Sequence, residues 1–313
     1  MKIALVGIGK IARDQHVPAL AASPDWELAA TVSRSGTVDG VEAFTDFAAM
    51  LAARPDVGVV SLCLPPQPRY PYAEAALLAG RHVMLEKPPG QTLAEVHALQ
   101  ALAARQGVSL YATWHSRMAE AVAAAKAWLA DTVVRRAHIT WREDVRKWHP
   151  GQDWVFEPGG MGVFDPGINA LSILTEILPQ PVHLTGATLE VPENRQTPIA
   201  AQLTFAGNIT ADFDWRQEGP QTWDIEVQAG AESDIIRVCD NGPGVPAPVL
   251  GGPRLPKDQD EAARLEVAER LGHGRVSVSA TDVPMRTLLE DWARLGQTRI
   301  VNLDRVATTP IKP

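Results

Sequence analysis

Lys2-Ile3-Ala4-Leu5-Val6-Gly7-Ile8-Gly9-Lys10-Ile11-Ala12 decides the fold of this chain. The apolar run at residues 2–6 reads as a strand of a parallel sheet covered on both faces. The Gly-x-Gly-x-x-Ala pattern gives a tight turn, close approach of backbone to a pyrophosphate, and a small residue where helix packs on strand. Free N–H groups at the start of the next helix, residues 11–22, suit phosphates. Gly7, Gly9, Lys10 and Ile11 are therefore expected to contact a dinucleotide. A merely structural glycine turn is the competing reading, and the βα units that follow weigh against it.

Working outward, residues 26–32, 57–64, 82–85 and 109–114 read as strands, and 45–53, 70–79 and 93–106 as helices. This alternation is βαβ logic and defines an α/β Rossmann domain over residues 1–120. The pattern then changes. Residues 118–130 read as a helix, 133–143 as a half-buried antiparallel strand, and 167–177 as another helix. Strands are expected at 183–190, 199–205, 208–214, 222–229 and 234–238, with a hairpin turn at Gly207. A surface loop at 241–256, a helix at 285–295 and a strand at 299–306 complete the reading. Residues 121–313 thus form an α+β domain with a large, mostly antiparallel open sheet.

Two domains also suit 313 residues, longer than one core usually serves. No run approaches a membrane span, and residue 1 opens directly into a strand pattern without an export signal. The net charge of -8 argues against nucleic acid. The two cysteines are far apart, so a reducing cytoplasm is the expected compartment. Eight histidines without ligand spacing give no metal site, and there is no serine-hydrolase nucleophile elbow.

The end of the second strand selects the nucleotide. An NAD site normally places a carboxylate there, but this chain has Val32-Ser33-Arg34-Ser35. Ser33 and Arg34 suit a 2′-phosphate, so NADP is the preferred cofactor, with NAD tolerated. Arg34 as a solvated loop cation is the plainer alternative. Leu64-Pro65-Pro66 must leave the sheet, because proline cannot continue the ladder. One βα unit later, Glu86-Lys87-Pro88-Pro89-Gly90 ends the next strand. Ligands of doubly wound sheets lie outside these carboxyl ends, so Leu64, Pro65, Glu86 and Lys87 are cofactor-side candidates and Lys87 a catalytic one.

The densest polar and aromatic segment is Trp141 to Asp165, containing Arg142, Glu143, Asp144, Arg146, Lys147, Trp148, His149, Asp153 and Trp154. Aromatic faces among hydrogen-bonding groups suit a sugar ring; they also suit a protein interface. Gly159-Gly160-Met161-Gly162 then turns into a helix carrying Asp165 and Asn169, four apart and on one face. Asp165 reads either as a catalytic group or as that helix's N-cap. His115 is placed in the cleft and His138 in a structural role. His16 stands near the cofactor or packs within its helix.

Gly7–Ala12, Glu86-Lys87-Pro88 and Asp165-Pro166-Gly167-Ile168-Asn169 together resemble the glucose–fructose oxidoreductase, inositol dehydrogenase and biliverdin reductase superfamily over essentially the whole chain. Val32-Ser33-Arg34, Glu86–Gly90, Trp148-His149, Asp165 and Asn169 are most similar to the bacterial aldose 1-dehydrogenases acting on L-arabinose and D-galactose. The resemblance implies NAD(P)-dependent oxidation of the sugar C1 to the lactone. It implies that Lys87, Asp165 and Asn169 surround C1 and that His149 binds the sugar; Trp148 and Trp154 of the aromatic segment and His115 of the cleft are the further substrate-side candidates. It also implies a homodimer formed through the open sheet. Whether Asp165 or Lys87 takes the proton stays open. So do two other readings: a dehydrogenase of another cyclic polyol or sugar derivative, and a non-catalytic sugar or cofactor sensor.

Overall fold

The computed structural model describes residues 1–118, 120–230, 235–239 and 276–279. The expectations for 241–256, 285–295 and 299–306 lie outside the described residues. Two compact units are present, one running from Met1 to Trp114 and the other beginning at His115.

The first unit is a parallel sheet flanked by helices. Its strands are β1 (Lys2–Val6), β2 (Glu27–Val32), β3 (Glu42–Phe44), β4 (Val59–Leu62), β5 (His82–Glu86) and β6 (Leu110–Thr113), in the order β3-β2-β1-β4-β5-β6. The order reverses at β1 and β4, so their carboxyl ends form the crevice in which such sheets bind ligands. The connecting helices are α1 (Val17–Ala22), α2 (Phe47–Ala53), α3 (Pro66–Leu78) and α4 (Leu93–Gln106). A π-turn at Ala12–His16 precedes α1, so the single expected helix opens with a wider coil.

Local chemistry sets these boundaries. Asp46 caps α2 by accepting the Ala49 N–H at 2.7 Å, a contact worth about 1 kcal/mol. Thr92 and Glu95 form a reciprocal capping box at the start of α4, and Gly107 ends it in the left-handed region. Val6, Val60, Leu62, Leu77, Val83, Leu85 and Leu99 fill the core between sheet and helices.

The second unit contains α5 (Glu120–Leu129), α6 (Val145–Trp148), α7 (Phe164–Ile177) and, among the described residues, a seven-stranded sheet. The strands are β7 (Val134–Arg142), β8 (Leu184–Glu190), β9 (Ala200–Phe205), β10 (Ile209–Asp214), β11 (Thr222–Ala229), β12 (Ile235–Cys239) and β13 (Val276–Ser279), ordered β13-β12-β11-β7-β10-β9-β8. The strand expected at 133–143 is not purely antiparallel. It pairs antiparallel with β11 but parallel with β10. Side-chain alternation has period 2 in either pairing, so the pattern could not separate them. The core of this unit joins Leu129, Ile139, Ile173, Ile177, Phe213 and Val227. No helix of the described residues is long and apolar enough to cross a membrane.

Candidate active site

In the first unit the glycine turn follows β1 as expected. Gly7 has φ +87°, and a Cβ there would stand 2.9 Å from Leu64 Cδ2 and 3.2 Å from the Cys63 backbone. Only glycine lets β1 turn this close to the end of β4. A Cβ at Gly9 would meet nothing within 4 Å, so the outer side of the turn is open. Ala12 is fully buried and lets the helix pack down. Lys10 pairs with Asp14 on the surface, and Ile11 is exposed. This cradle, with helical N–H groups behind it, fits a nicotinamide dinucleotide.

Beyond β2, Ser33 Oγ accepts the Gly36 N–H at 3.0 Å. Gly36 packs on Ile8, where a Cβ would stand 2.8 Å from the Ile8 carbonyl oxygen, so this loop is seated on the glycine turn. Arg34 is exposed, and its guanidinium makes no ion pair with another described residue. That arrangement can receive a phosphate dianion.

The carboxyl ends of β4 and β5 are tied by a residue that the sequence did not single out. Arg69 on α3 is buried. Its guanidinium donates to the Leu64 carbonyl at 3.1 Å and to the carbonyls of Glu86 and Pro88. The Lys87 N–H in turn donates to Glu86 Oε2 at 3.1 Å. The backbone on both sides of Lys87 is thereby fixed, while its side chain stays half-exposed.

Glu86 itself points inward. Its Oε1 lies 2.7 Å from Nε2 of the buried His16, whose Nδ1 is 3.3 Å from Ser61 Oγ. His16 is thus a packed residue beneath the turn. The Glu86 carboxylate is occupied by His16 and the Lys87 amide, so its part is to hold the strand end. Burial disfavours the charged form of His16. The Cys63 sulfur and the Glu86 carboxylate outweigh burial and hold the imidazole up at about 10.

In the second unit the Trp141 to Asp165 segment separates into two groups. Its charged members mostly serve surface pairs: Arg142 with Asp212, Arg146 with Asp144 and Glu218, and Asp153 with Arg195. Its aromatic members gather with residues far along the chain. Register places Trp223 of β11 opposite Trp141 of β7, with rings stacked at 5.5 Å. Trp148 lies 5.8 Å from Trp223 and donates its indole N–H to Gln221. The buried Glu143 accepts the indole N–H groups of Trp215 at 2.9 Å and Trp223 at 3.1 Å.

His149 packs edge-on against Trp215 at 5.2 Å and Trp154 at 6.2 Å. Its Nε2 lies 3.1 Å from Asp165 Oδ2. Val163 is the N-cap of α7, and Asp165 sits inside the first turn. The capping role is therefore not its own, and its carboxylate faces His149. Asn169 follows one turn later and is half-buried. His115 stands on the 3-10 turn His115–Met118, its Nδ1 3.3 Å from Ser116 Oγ. His138 Nδ1 lies 2.7 Å from Thr210 Oγ1 on the exposed sheet face. Among the described residues no group of His, Cys, Asp and Glu could hold a metal ion.

Comparison with known proteins places these features. Residues 1–113 match the GFO/IDH/MocA oxidoreductase family, NAD-binding Rossmann fold. The chain is 42% identical over 246 residues to galactose 1-dehydrogenase of Pseudomonas fluorescens, covering 77% of this chain and 79% of the relative. The crystal structure of a D-galactose-1-dehydrogenase protein from Rhizobium etli is 48% identical, covers 93% of this chain and 94% of its own, and superposes with a TM-score of 0.74. A 3-ketoreductase from Actinomadura kijaniata in complex with NADP shares the fold at 21% identity and a TM-score of 0.61, over 74% of this chain and 73% of its own.

Proposed function

The chain belongs to the GFO/IDH/MocA oxidoreductase family and is a sugar dehydrogenase, and from that premise we propose that it oxidises C1 of D-galactose and L-arabinose to the aldonolactone, with NADP preferred over NAD. One observation carries the reading: an Asp165–His149 pair at 3.1 Å set beside Trp154 and Trp215, with Glu143 on the indole of Trp215. Apolar C–H faces of a pyranose stack on such rings while its hydroxyls need fixed polar partners. Both sugars share the ring hydroxyl pattern and differ only at C5.

The proposed division of labour follows from residue chemistry. Gly7, Gly9 and the following helical N–H groups hold the pyrophosphate, and Ser33 with Arg34 holds the 2′-phosphate. The chemistry a bound nicotinamide supplies is acceptance of hydride. Asp165 takes the proton of the anomeric hydroxyl, which is more acidic than an ordinary alcohol. Lys87 stabilises the charge that develops on O1, and Asn169 binds an adjacent hydroxyl. The polar outward face of the second sheet, with His138 and Thr210, is assigned to homodimer formation.

Reduction of NADP and NAD should be followed with D-galactose, L-arabinose, D-glucose and myo-inositol in parallel. The proposal requires the first two sugars to be the best substrates and NADP the better acceptor. Turnover confined to myo-inositol, or cofactor binding without any reduction, would remove it.

A further inference from the structure

A tight turn begins at His149, one member of the His149–Asp165 pair. His149-Pro150-Gly151-Gln152 is closed by the Gln152 N–H donating to the His149 carbonyl at 3.1 Å. Gly151 has φ +69°, the left-handed value that a type II turn with proline at its second position requires at the third. Such a turn brings its first and last side chains together. His149 Nδ1 lies 3.1 Å from Gln152 Oε1. The same oxygen accepts the Trp154 indole N–H at 3.2 Å.

Donor logic fixes the hydrogens at Trp154, Gln152 and Nδ1 of His149. An indole nitrogen can only donate, so the Gln152 amide must present its oxygen to Trp154, and therefore to His149 as well. Facing an acceptor, Nδ1 of His149 must carry a hydrogen. A flipped ring would set carbon atoms against both Gln152 and Asp165. A neutral imidazole has one N–H, and here Gln152 holds it. Nε2 would then point a lone pair at Asp165 Oδ2, 3.1 Å away, unless the contact contains a further proton.

We propose that Gln152 is a positioning residue that locks His149 in its Nδ1–H form, so that His149 and Asp165 share one proton between Nε2 and Oδ2. The catalytic consequence rests on the reading of Asp165 as the base. With the shared proton on Nε2, Asp165 is a carboxylate. It gains the proton lost from the anomeric O–H, and the pair then holds two protons and returns one to solvent. The indoles of Trp154 and Trp215 against the ring keep it from rotating out of this arrangement.

The test is a two-bond 1H–15N correlation spectrum of substrate-free protein labelled at histidine nitrogens, with His149 assigned by its loss in His149→Asn. The native protein should show His149 either with hydrogen on Nδ1 alone or doubly protonated. In Gln152→Leu the form protonated on Nε2 alone should appear, because that tautomer can donate to Asp165 without an extra proton. Gln152→Glu supplies only acceptors and should restore the native pattern. If Gln152→Leu does not fold, Trp154→Phe serves, since it frees the amide to flip and should admit the Nε2 form. A native spectrum showing hydrogen on Nε2 alone overturns the proposal, as does an unchanged pattern in folded Gln152→Leu. These readouts need no sugar. A native Nδ1–H pattern in a protein that oxidises no aldose would support the lock and count against the proposed function.

Discussion

Nε2 of His16 stands 2.7 Å from Oε1 of Glu86 in the core of the nucleotide-binding unit. This buried contact joins the helix after the glycine turn to the strand that ends at Lys87. It ties the glycine turn to the strand end at Lys87 through two buried side chains.

The first prediction concerns pH. His16 is held up from 6.5 to about 10: burial opposes the charge, and Cys63 and Glu86 outweigh burial. Because the folded-state value is raised, the stability it contributes is complete below about 6.5 and is lost as pH rises through about 10. Denaturation midpoints across that window should fall in the native chain and fall less in His16→Gln. Parallel curves for the two proteins would show that the pair contributes no pH-dependent stability.

Arg69 gives the second. Its guanidinium serves the carbonyls of Leu64, Glu86 and Pro88 at once, a fork that lysine cannot reproduce. Arg69→Lys should lose about 1–3 kcal/mol in urea unfolding, the cost of stranding buried acceptors. Turnover should fall while the sugar KM changes little. A variant with native stability and native turnover would show that the clamp is dispensable.

Third, Arg34→Ala should raise the KM for NADP by about tenfold or more, the equivalent of one charged hydrogen bond. The KM for NAD should hardly move. Equal weakening of both cofactors would reassign Arg34 to a solvated loop.

Fourth, Lys87→Ala and Asp165→Asn should each lower kcat by at least about 10²-fold, the low end of acid–base contributions. Titration of NADP into each variant should show native affinity. Near-native kcat in either one removes that residue from the chemistry.

What could be read from the sequence was local. The α4 boundaries agree with expectation at both ends because Thr92, Glu95 and Gly107 carry capping signals in the chain itself. The glycine turn and the position of Lys87 at the end of β5 were legible for the same reason. The edge strand β3 was missed, since three residues with no alternating apolar pattern give no strand signal. Arg69 lay outside the helix expected at 70–79, and nothing local marked it because its carbonyl partners lie 5 to 19 residues away in the chain. Trp215 and Trp223 join the aromatic wall only through sheet register, which residue spacing does not encode. The His-Pro-Gly-Gln turn that brings Gln152 to His149 is itself a local pattern, whereas the meeting of His149 with Asp165 has no local spacing signal.

The central claim is removal of hydride from C1 of an aldose. Incubation of the enzyme with NADP and D-galactose carrying deuterium at C1 tests it most directly. The account predicts deuterium in the nicotinamide ring of the reduced cofactor, with galactonolactone as the product. Reduced cofactor free of deuterium, with a ketosugar formed instead, would contradict it.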